Sequence, residues 1–450
     1  MGAAGAAAAG WLGCGGLNLD QPPEPALAPS DENPPAERAI DPRGWPCLFG
    51  PELTSVSRET GLRIEWPAAG PPLLWQIPVG TGYSSPVLVD DDLIVLHRIE
   101  NRELLSCFDA ESGQPNWEHD WPTSFQCKYA YSSGPYGTPL IDGDVVFAAG
   151  AQGRLVAVSR ADGALIWERD LQADRKLADG LFGFGPGFAI DAERFYLNAG
   201  GGEMNAGVIA LDKRTGETLW TATDHAMAYT TPRFMMVAGR RLLLVLTKVG
   251  LTCLDPATGD EHWTYEFHSK GVDTINAVAP AIQDNLVLLV AGPGPGSVCL
   301  RIRADLSYEE VWKDRRVLDS QFNTLVHEAG HIYGFTARRQ GGSIFKCLEF
   351  ATGKLRWEYS SPLDRGQAIA ADGRLILLGE HGLLTALALD PARLQVISTT
   401  AEPLLASPCY SSPALHRGLL YLRNESRLLC LRLRVTEAAF APRRAPGIYR

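Results

Sequence analysis

One phrase recurs along the chain: an apolar strand, an acidic or polar residue, two variable positions, Ser/Thr/Asp-Gly, three more residues and then Trp. It runs from Cys107-Phe108-Asp109 through Ser112-Gly113 to Trp117, from Ala157-Val158-Ser159 through Asp162-Gly163 to Trp167, and from Ala210-Leu211-Asp212 through Thr215-Gly216 to Trp220. Cys253-Leu254-Asp255 leads in the same way through Thr258-Gly259 to Trp263, and Cys347-Leu348-Glu349 through Thr352-Gly353 to Trp357. In all five copies the Gly stands four residues before the Trp; degenerate copies end at Trp312 and near Val396. The phrase specifies a hairpin: Asp or Thr bonds the turn backbone, Gly accepts positive φ, and the next strand brings a Trp large enough to fill space between sheets.

A second phrase alternates with it, at Ser85-Pro86, Thr138-Pro139, Pro186-Gly187, Thr231-Pro232, Ala279-Pro280, Asn323-Thr324, Gln367-Ala368 and Ser412-Pro413, each opening an apolar strand followed by a polar turn and another strand. Trp positions 75, 117, 167, 220, 263, 312 and 357 lie 42 to 53 residues apart, close to the period of a four-stranded propeller blade. Leu73-Leu74-Trp75 supplies an outer strand with no phrase before it, and Leu428-Leu429-Cys430-Leu431 a third strand with no Trp after it. The expected fold is therefore all-β: an eight-bladed β-propeller of four-stranded antiparallel blades over residues 45–435, its ring closed by N- and C-terminal strands so that no sheet edge stays open. The 46 Gly and 31 Pro suit such a turn-rich chain and argue against a helical bundle.

Flanking segments differ in kind. Residues 1–16, small and apolar up to Gly13-Cys14-Gly15-Gly16, read as an export or lipoprotein-like signal with Cys14 as the lipidation site, although no Lys or Arg precedes the apolar run and Trp11 stands in a place where a Leu-type residue is usual. Residues 17–44 read as a disordered Pro-rich linker and 436–450 as a basic tail. Together these place the chain in the periplasm or outer cell envelope, with a lipid anchor as the route to a membrane. The net charge of −11 excludes a nucleic-acid binder held by phosphate neutralisation.

The repeats resemble the pyrroloquinoline-quinone (PQQ) type of eight-bladed propeller, with its Ala-x-Asp-x-x-Thr-Gly-x-x-x-Trp phrase matched best from Ala210 to Trp220. The run Gly44-Trp45-Pro46, Phe49-Gly50-Pro51, Glu59-Thr60-Gly61-Leu62, Glu65-Trp66-Pro67 and Gly82-Tyr83-Ser84-Ser85-Pro86 is similar to exported propellers of planctomycete-type bacteria. The resemblance implies the fold over nearly the whole ordered chain. It implies less about activity, because the family includes quinoprotein dehydrogenases, the β-barrel-assembly lipoprotein and members without known activity.

Several strings carry chemistry at first sight. His327-Glu328-Ala329-Gly330-His331 matches the zinc-protease pattern, but that chemistry needs both His one turn apart on a helix, whereas here a strand runs into a turn and Gly330 and Gly334 disfavour a helix. No metal site is expected. Cys107, Cys253, Cys347 and Cys430 occupy the strand position held by Ala157 and Ala210 in sister blades and read, with Cys299, as small buried residues; a single disulfide among Cys47, Cys127 and Cys409 stays open. The resemblance to PQQ dehydrogenases implies an adjacent Cys-Cys pair, a carboxylate-rich calcium site and an Asp base. The chain has no Cys-Cys pair, and Asp109, Asp212, Asp255 and Asp390 belong to repeated turns, which makes them caps rather than acid–base groups. Gly200-Gly201-Gly202 and Gly292-Pro293-Gly294-Pro295-Gly296 lack the strand-to-helix context of a phosphate loop and read as hairpin loops.

Surface remains as the seat of function. Loops leaving each Trp-bearing strand emerge on one face of a propeller, and two are long, 22 residues from Trp117 to Pro139 and 20 from Trp167 to Gly187. They carry Phe125, Lys128, Tyr129, Tyr131 and Tyr136, then Arg175, Lys176, Phe182 and Phe184, a mixture of aromatics and cations suited to a binding face. The expected function is a non-enzymatic, monomeric envelope scaffold that binds a protein or polymer, with no catalytic residue and no cofactor. The alternative is a PQQ- and calcium-dependent alcohol or polyol dehydrogenase with a diverged cofactor site.

Overall fold

The computed structural model describes residues 43–175, 182–201, 205–268, 275–338, 340, 342–360 and 362–434. The signal with Cys14, most of the linker, Lys176 and the basic tail lie outside the described residues.

Eight four-stranded antiparallel sheets form the ring, and seven are meanders in chain order, short inner strand first. The first blade runs Val87–Val89, Asp92–Ile99, Arg102–Asp109 and Pro115–Pro122. The eighth is composite: Leu73–Pro78 pairs with Arg427–Arg432, Trp75 opposite Cys430, beyond Leu419–Arg423 and Ala414–His416. Both ends of the chain thus share one sheet, as the orphaned strands in the sequence require. Repeated acidic residues cap turns: Asp109 accepts the Ser112 N–H (2.8 Å), and the Arg214 and Thr215 amides hold the Asp212 carboxyl below its usual pKa range.

Small residues in the repeat answer to the Trp. Across the outer pair of strands Trp117 faces Cys107, Trp167 faces Ala157, Trp220 faces Ala210, Trp263 faces Cys253, Trp312 faces Cys299 and Trp357 faces Cys347. In each blade the register shifts right there, the residue before the Trp being the extra one of a β-bulge. An indole on one strand leaves room only for a thiol or methyl opposite, which explains cysteines that make no bridge.

The wedge itself acts between blades. Trp75 Nε1 donates to Glu111 O (3.0 Å), Trp117 to Arg160 O (2.8 Å), Trp167 to Lys213 O (3.0 Å), Trp220 to Pro256 O (3.2 Å) and Trp312 to Phe350 O (2.9 Å), each acceptor lying in the phrase turn of the next blade. The Gly of that turn has φ near +70° and lies flat against the preceding indole: a Cβ on Gly216 would stand 2.8 Å from Trp167, and one on Gly163 2.5 Å from Trp117. Gly and Trp four residues apart therefore serve two different interfaces, a division invisible in the repeat. Ser398 takes the Trp place in the seventh blade, opposite Ala386, and its hydroxyl accepts the backbone N–H of Trp66, a buried residue of the N-terminal segment.

Residues 43–59 cross the ring at the end where inner strands run into their tight turns. Trp45 bridges Leu88, Pro46 O accepts from Ile141, Thr54 O from His327 and Ser55 O from Ala370, and Glu59 takes the Arg417 and Gly418 amides. This strap touches blades on opposite sides of the ring and floors the central channel.

Candidate functional site

At the other end of the channel, residues just before the inner strands build a polar belt. The Ser85 amide donates to Thr138 Oγ1 (3.0 Å), the Ser412 amide to Ser85 Oγ (2.8 Å), the Thr324 amide to Gln367 Oε1 (2.8 Å), and Gln367 Nε2 to Tyr410 O (2.9 Å). The Ser/Thr-Pro phrase is thus a stitch from blade to blade around the axis.

Above the belt stands a collar of aromatic rings. Tyr83 meets Tyr136 and Tyr410 edge-on at 5.1 and 5.0 Å, Phe182 lies 6.3 Å from Tyr136 and 6.0 Å from Tyr229, and Phe322 lies 5.0 Å from Tyr410. Tyr131 comes in from the first long loop and bridges Phe182 (5.4 Å) to Tyr410 (6.2 Å), roofing the channel. The phenol hydroxyls are committed to protein: Tyr83 accepts from Ser132 N, Tyr136 donates to Ser132 O, Tyr229 to Gly183 O and Tyr410 to Glu380 Oε1. Burial accordingly raises the pKa of all four. Arg365 braces the collar, 5.2 Å from both the Phe322 and Tyr410 rings and bidentate to Glu380 at 2.9 Å. Burial disfavours the Glu380 carboxylate, yet Arg365, Tyr410 and Arg338 hold its pKa below the usual range.

Between roof and floor lies a cavity of about 180 Å³. Cys47, Leu48 and Phe49 of the strap reach it from below, the aromatic rings from above, and Thr138, Thr231 and Thr324 from the walls. No charged side chain among the described residues lines it. Under the floor Arg233 stacks 4.4 Å over Phe49 and donates to Leu53 O (2.8 Å) and Pro280 O (3.2 Å); its burial lowers its pKa to about 10.

Of the residues singled out in the long loops, Tyr131, Tyr136 and Phe182 converge on this cavity. Lys128 and Tyr129 are exposed on the outer face, the Tyr129 ring 5.2 Å from Phe182. Arg175 ends the short helix Leu171–Arg175. Phe184 does not belong to the face: it is 6% exposed and packed in the core with Phe188 and Leu171, because the loop turns inward at Gly183. Tyr83, Tyr229, Tyr410 and Phe322 were not among the expected residues. Their signal was nevertheless in the chain, since Tyr83-Ser84-Ser85-Pro86, Tyr136-Gly137-Thr138-Pro139, Tyr229-Thr230-Thr231-Pro232 and Tyr410-Ser411-Ser412-Pro413 repeat one Tyr-x-Ser/Thr-Pro motif.

The His-Glu-x-x-His string is a hairpin. Glu328 pairs with His331 across adjacent strands and Ala329-Gly330 make the turn with positive φ. His327 Nε2 is hydrogen-bonded to Gln283 Oε1 (3.2 Å), burial lowering its pKa, and Glu328 is tied to Arg58 (2.8 Å). Among the described residues no group of three or more His, Cys, Asp or Glu is placed to hold a metal ion. All eight described cysteines are free thiols, so no disulfide joins Cys47, Cys127 or Cys409. A quinone bearing three carboxylates, held with calcium as in PQQ enzymes, needs cations and carboxylates in its walls, and this cavity has neither among the described residues. The residues present do not fit that cofactor.

An eight-bladed ring wedged by Trp on a Gly-containing turn, blade after blade, defines a propeller of the PQQ-like class. Within it the chain belongs to the family described as "Outer membrane protein assembly factor BamB", whose model matches residues 43–183, 101–359 and 204–436. It is 25% identical over 254 residues to the outer membrane protein assembly factor BamB of Burkholderia pseudomallei, spanning 54% of this chain and 60% of that protein. It is also 27% identical over 138 residues to a quinone-type 1-butanol dehydrogenase of Thauera butanivorans, covering 28% of this chain and 22% of the enzyme. The chain thus spans less than two thirds of either relative. Among solved structures, BamB from Moraxella catarrhalis superposes with TM-score 0.56 at 16% identity, over 82% of this chain and 99% of that one. Quinohemoprotein alcohol dehydrogenase from Comamonas testosteroni superposes with TM-score 0.59 at 13% identity, over 91% and 83%. At these identities the superpositions speak for the fold alone.

Proposed function

We propose that this chain is a non-enzymatic binding scaffold of the cell envelope that takes a protein or polymer partner on the face around the channel mouth. The observation that carries the reading is the first long loop, where exposed Lys128 and Tyr129 sit on a base made rigid by Tyr131, Phe182 and Tyr410. Such a combination of a fixed aromatic base and an exposed cation suits a recognition surface. The described role of the family as an assembly factor supports it, and so does a cavity without the charges that quinone chemistry needs. On this reading the propeller works as a monomer in the periplasm or at the outer envelope, held to a membrane through Cys14. The dehydrogenase alternative rests on the shared fold and on a sequence match that covers 22% of a quinone-type 1-butanol dehydrogenase.

The test is site-specific crosslinking. A photoreactive group at Lys128 in envelope preparations should capture a defined partner, and Tyr131→Ala should reduce that yield at least fivefold while the melting temperature stays within about 3 °C. Equal yields from Lys128 and from a residue on the strap side, such as Arg417, would refute the assignment of the face. Adding PQQ and calcium to the purified chain should give no alcohol-dependent dye reduction.

A further inference from the structure

The central cavity carries an inference independent of the docking face. A dry apolar cavity of about 150 Å³ takes up benzene, and this one, at about 180 Å³, has room for a single six-membered ring with a short substituent. Tyr131 lines the cavity from above and Leu48 and Phe49 from below.

Chemistry of the lining narrows the class. An anion or an ammonium ion would be buried without a counter-charge, since no charged side chain among the described residues lines the cavity. Arg233, outside the lining, stacks on Phe49 and donates to two carbonyls from Nε and Nη2, with Nη1 unpartnered. A monosaccharide brings several hydroxyls, each penalised if it loses water without gaining a partner. The collar supplies few of those partners: Tyr136, Tyr229 and Tyr410 already donate to protein, and only Tyr83, which accepts from Ser132 N, keeps a proton to give. What the collar presents is ring faces and edges, which favour another aromatic ring.

One polar feature is left over. Thr231 lines the wall and its hydroxyl has no hydrogen-bond partner among the described residues. Ser85 Oγ and Thr138 Oγ1 each accept a backbone N–H and retain a proton to donate. The belt thus offers hydroxyl donors to one ligand oxygen. We propose that the channel of this propeller is a binding site for a neutral monocyclic aromatic compound bearing one hydroxyl or carbonyl oxygen, its ring held by Tyr83, Tyr136, Phe182 and Tyr229 and its oxygen by the wall hydroxyl of Thr231.

The experiment uses the purified chain with phenol and benzyl alcohol as probes, read by calorimetry and ligand-observed NMR. A ligand of this size should bind with a dissociation constant of about 0.1 mM. Cyclohexanol, benzoate, benzylammonium and glucose should each bind at least tenfold more weakly. Ala277→Phe, which grows a ring into the cavity, should abolish phenol binding, and Thr231→Val should weaken phenol about fivefold while leaving toluene unchanged. Absence of saturable phenol binding below about 5 mM would overturn the proposal. So would full affinity in Ala277→Phe, or a preference for a charged or saturated ring. If Ala277→Phe fails to fold, the phenol-to-toluene ratio in Thr231→Val decides alone, an unchanged ratio counting against the site.

Discussion

The division of labour between Gly and Trp across a blade interface can be measured with one pair of substitutions. Gly216 and Gly239 both sit at turns with positive φ, 72° and 79°, but a Cβ on Gly216 would lie 2.8 Å from the Trp167 ring, whereas one on Gly239 meets nothing within 4 Å. Gly239→Ala therefore pays only for the left-handed backbone, about 1–2 kcal/mol. Gly216→Ala pays the same and must also push the indole back, at an overpacking cost of about 1–3 kcal/mol. Moving the ring strains the bond from Trp167 Nε1 to Lys213 O (3.0 Å), itself about 0.5–1.5 kcal/mol. The expected loss is about 3–4 kcal/mol for Gly216→Ala against about 1.5 kcal/mol for Gly239→Ala, read as urea midpoints at unchanged slope. Trp167→Ala alone should cost about 3–5 kcal/mol, and in the double variant Gly216→Ala/Trp167→Ala the clash is gone, so the losses should fall short of additivity by about 2 kcal/mol. Equal losses at Gly216 and Gly239, or additive losses in the double variant, would show that the glycine serves its own hairpin and not the neighbouring blade.

Other consequences are as direct. Glu380→Gln leaves the Arg365 guanidinium inside the collar without its charge partner and should destabilise by about 3 kcal/mol at pH 7. Because the folded Glu380 pKa lies below its unfolded value, that stabilisation is complete above the unfolded pKa of about 4.3 and fades as pH falls through the folded one, so the gap between variant and parent should close in acid urea titrations below about pH 4. Alkylation in denaturant without reductant should label all eight cysteines from Cys47 onward; in the native state Cys409, its thiol pushed up to about 12 by burial, should stay unlabelled. Trp75→Ala, at the composite blade, should cost about 3–5 kcal/mol and speed limited proteolysis near residue 73, because it loosens the sheet that joins the two ends of the chain.

How far each feature could be read in advance depended on whether its cause was local. The hairpin phrase and the blade period involve residues close in sequence, and the unmatched strands at Leu73 and Leu428 left one arrangement that removes free edges, so ring and closure were legible. Cysteines in Ala positions were legible as small buried residues, but the reason, an indole directly across a bulged pair, needed register. The strap is different. Its backbone carbonyls at Pro46, Thr54 and Ser55 make bonds that any residue could make, so nothing in residues 43–59 announces that they floor the channel. The aromatic site was half visible: long loops pointed to Tyr131, Tyr136 and Phe182, while Tyr83, Tyr229 and Tyr410 sat in short connections and carried no loop signal. They are recognisable only as the first letter of a phrase whose Ser/Thr-Pro part opens the inner strand. A residue conserved in register between repeats but not required by the hairpin is free to face the axis, and four Tyr in that register become a collar because the ring brings equivalent positions together. In a propeller, then, an aromatic repeated just upstream of the inner strand is a statement about the channel mouth, and Phe184, which lies outside that register, is in the core instead.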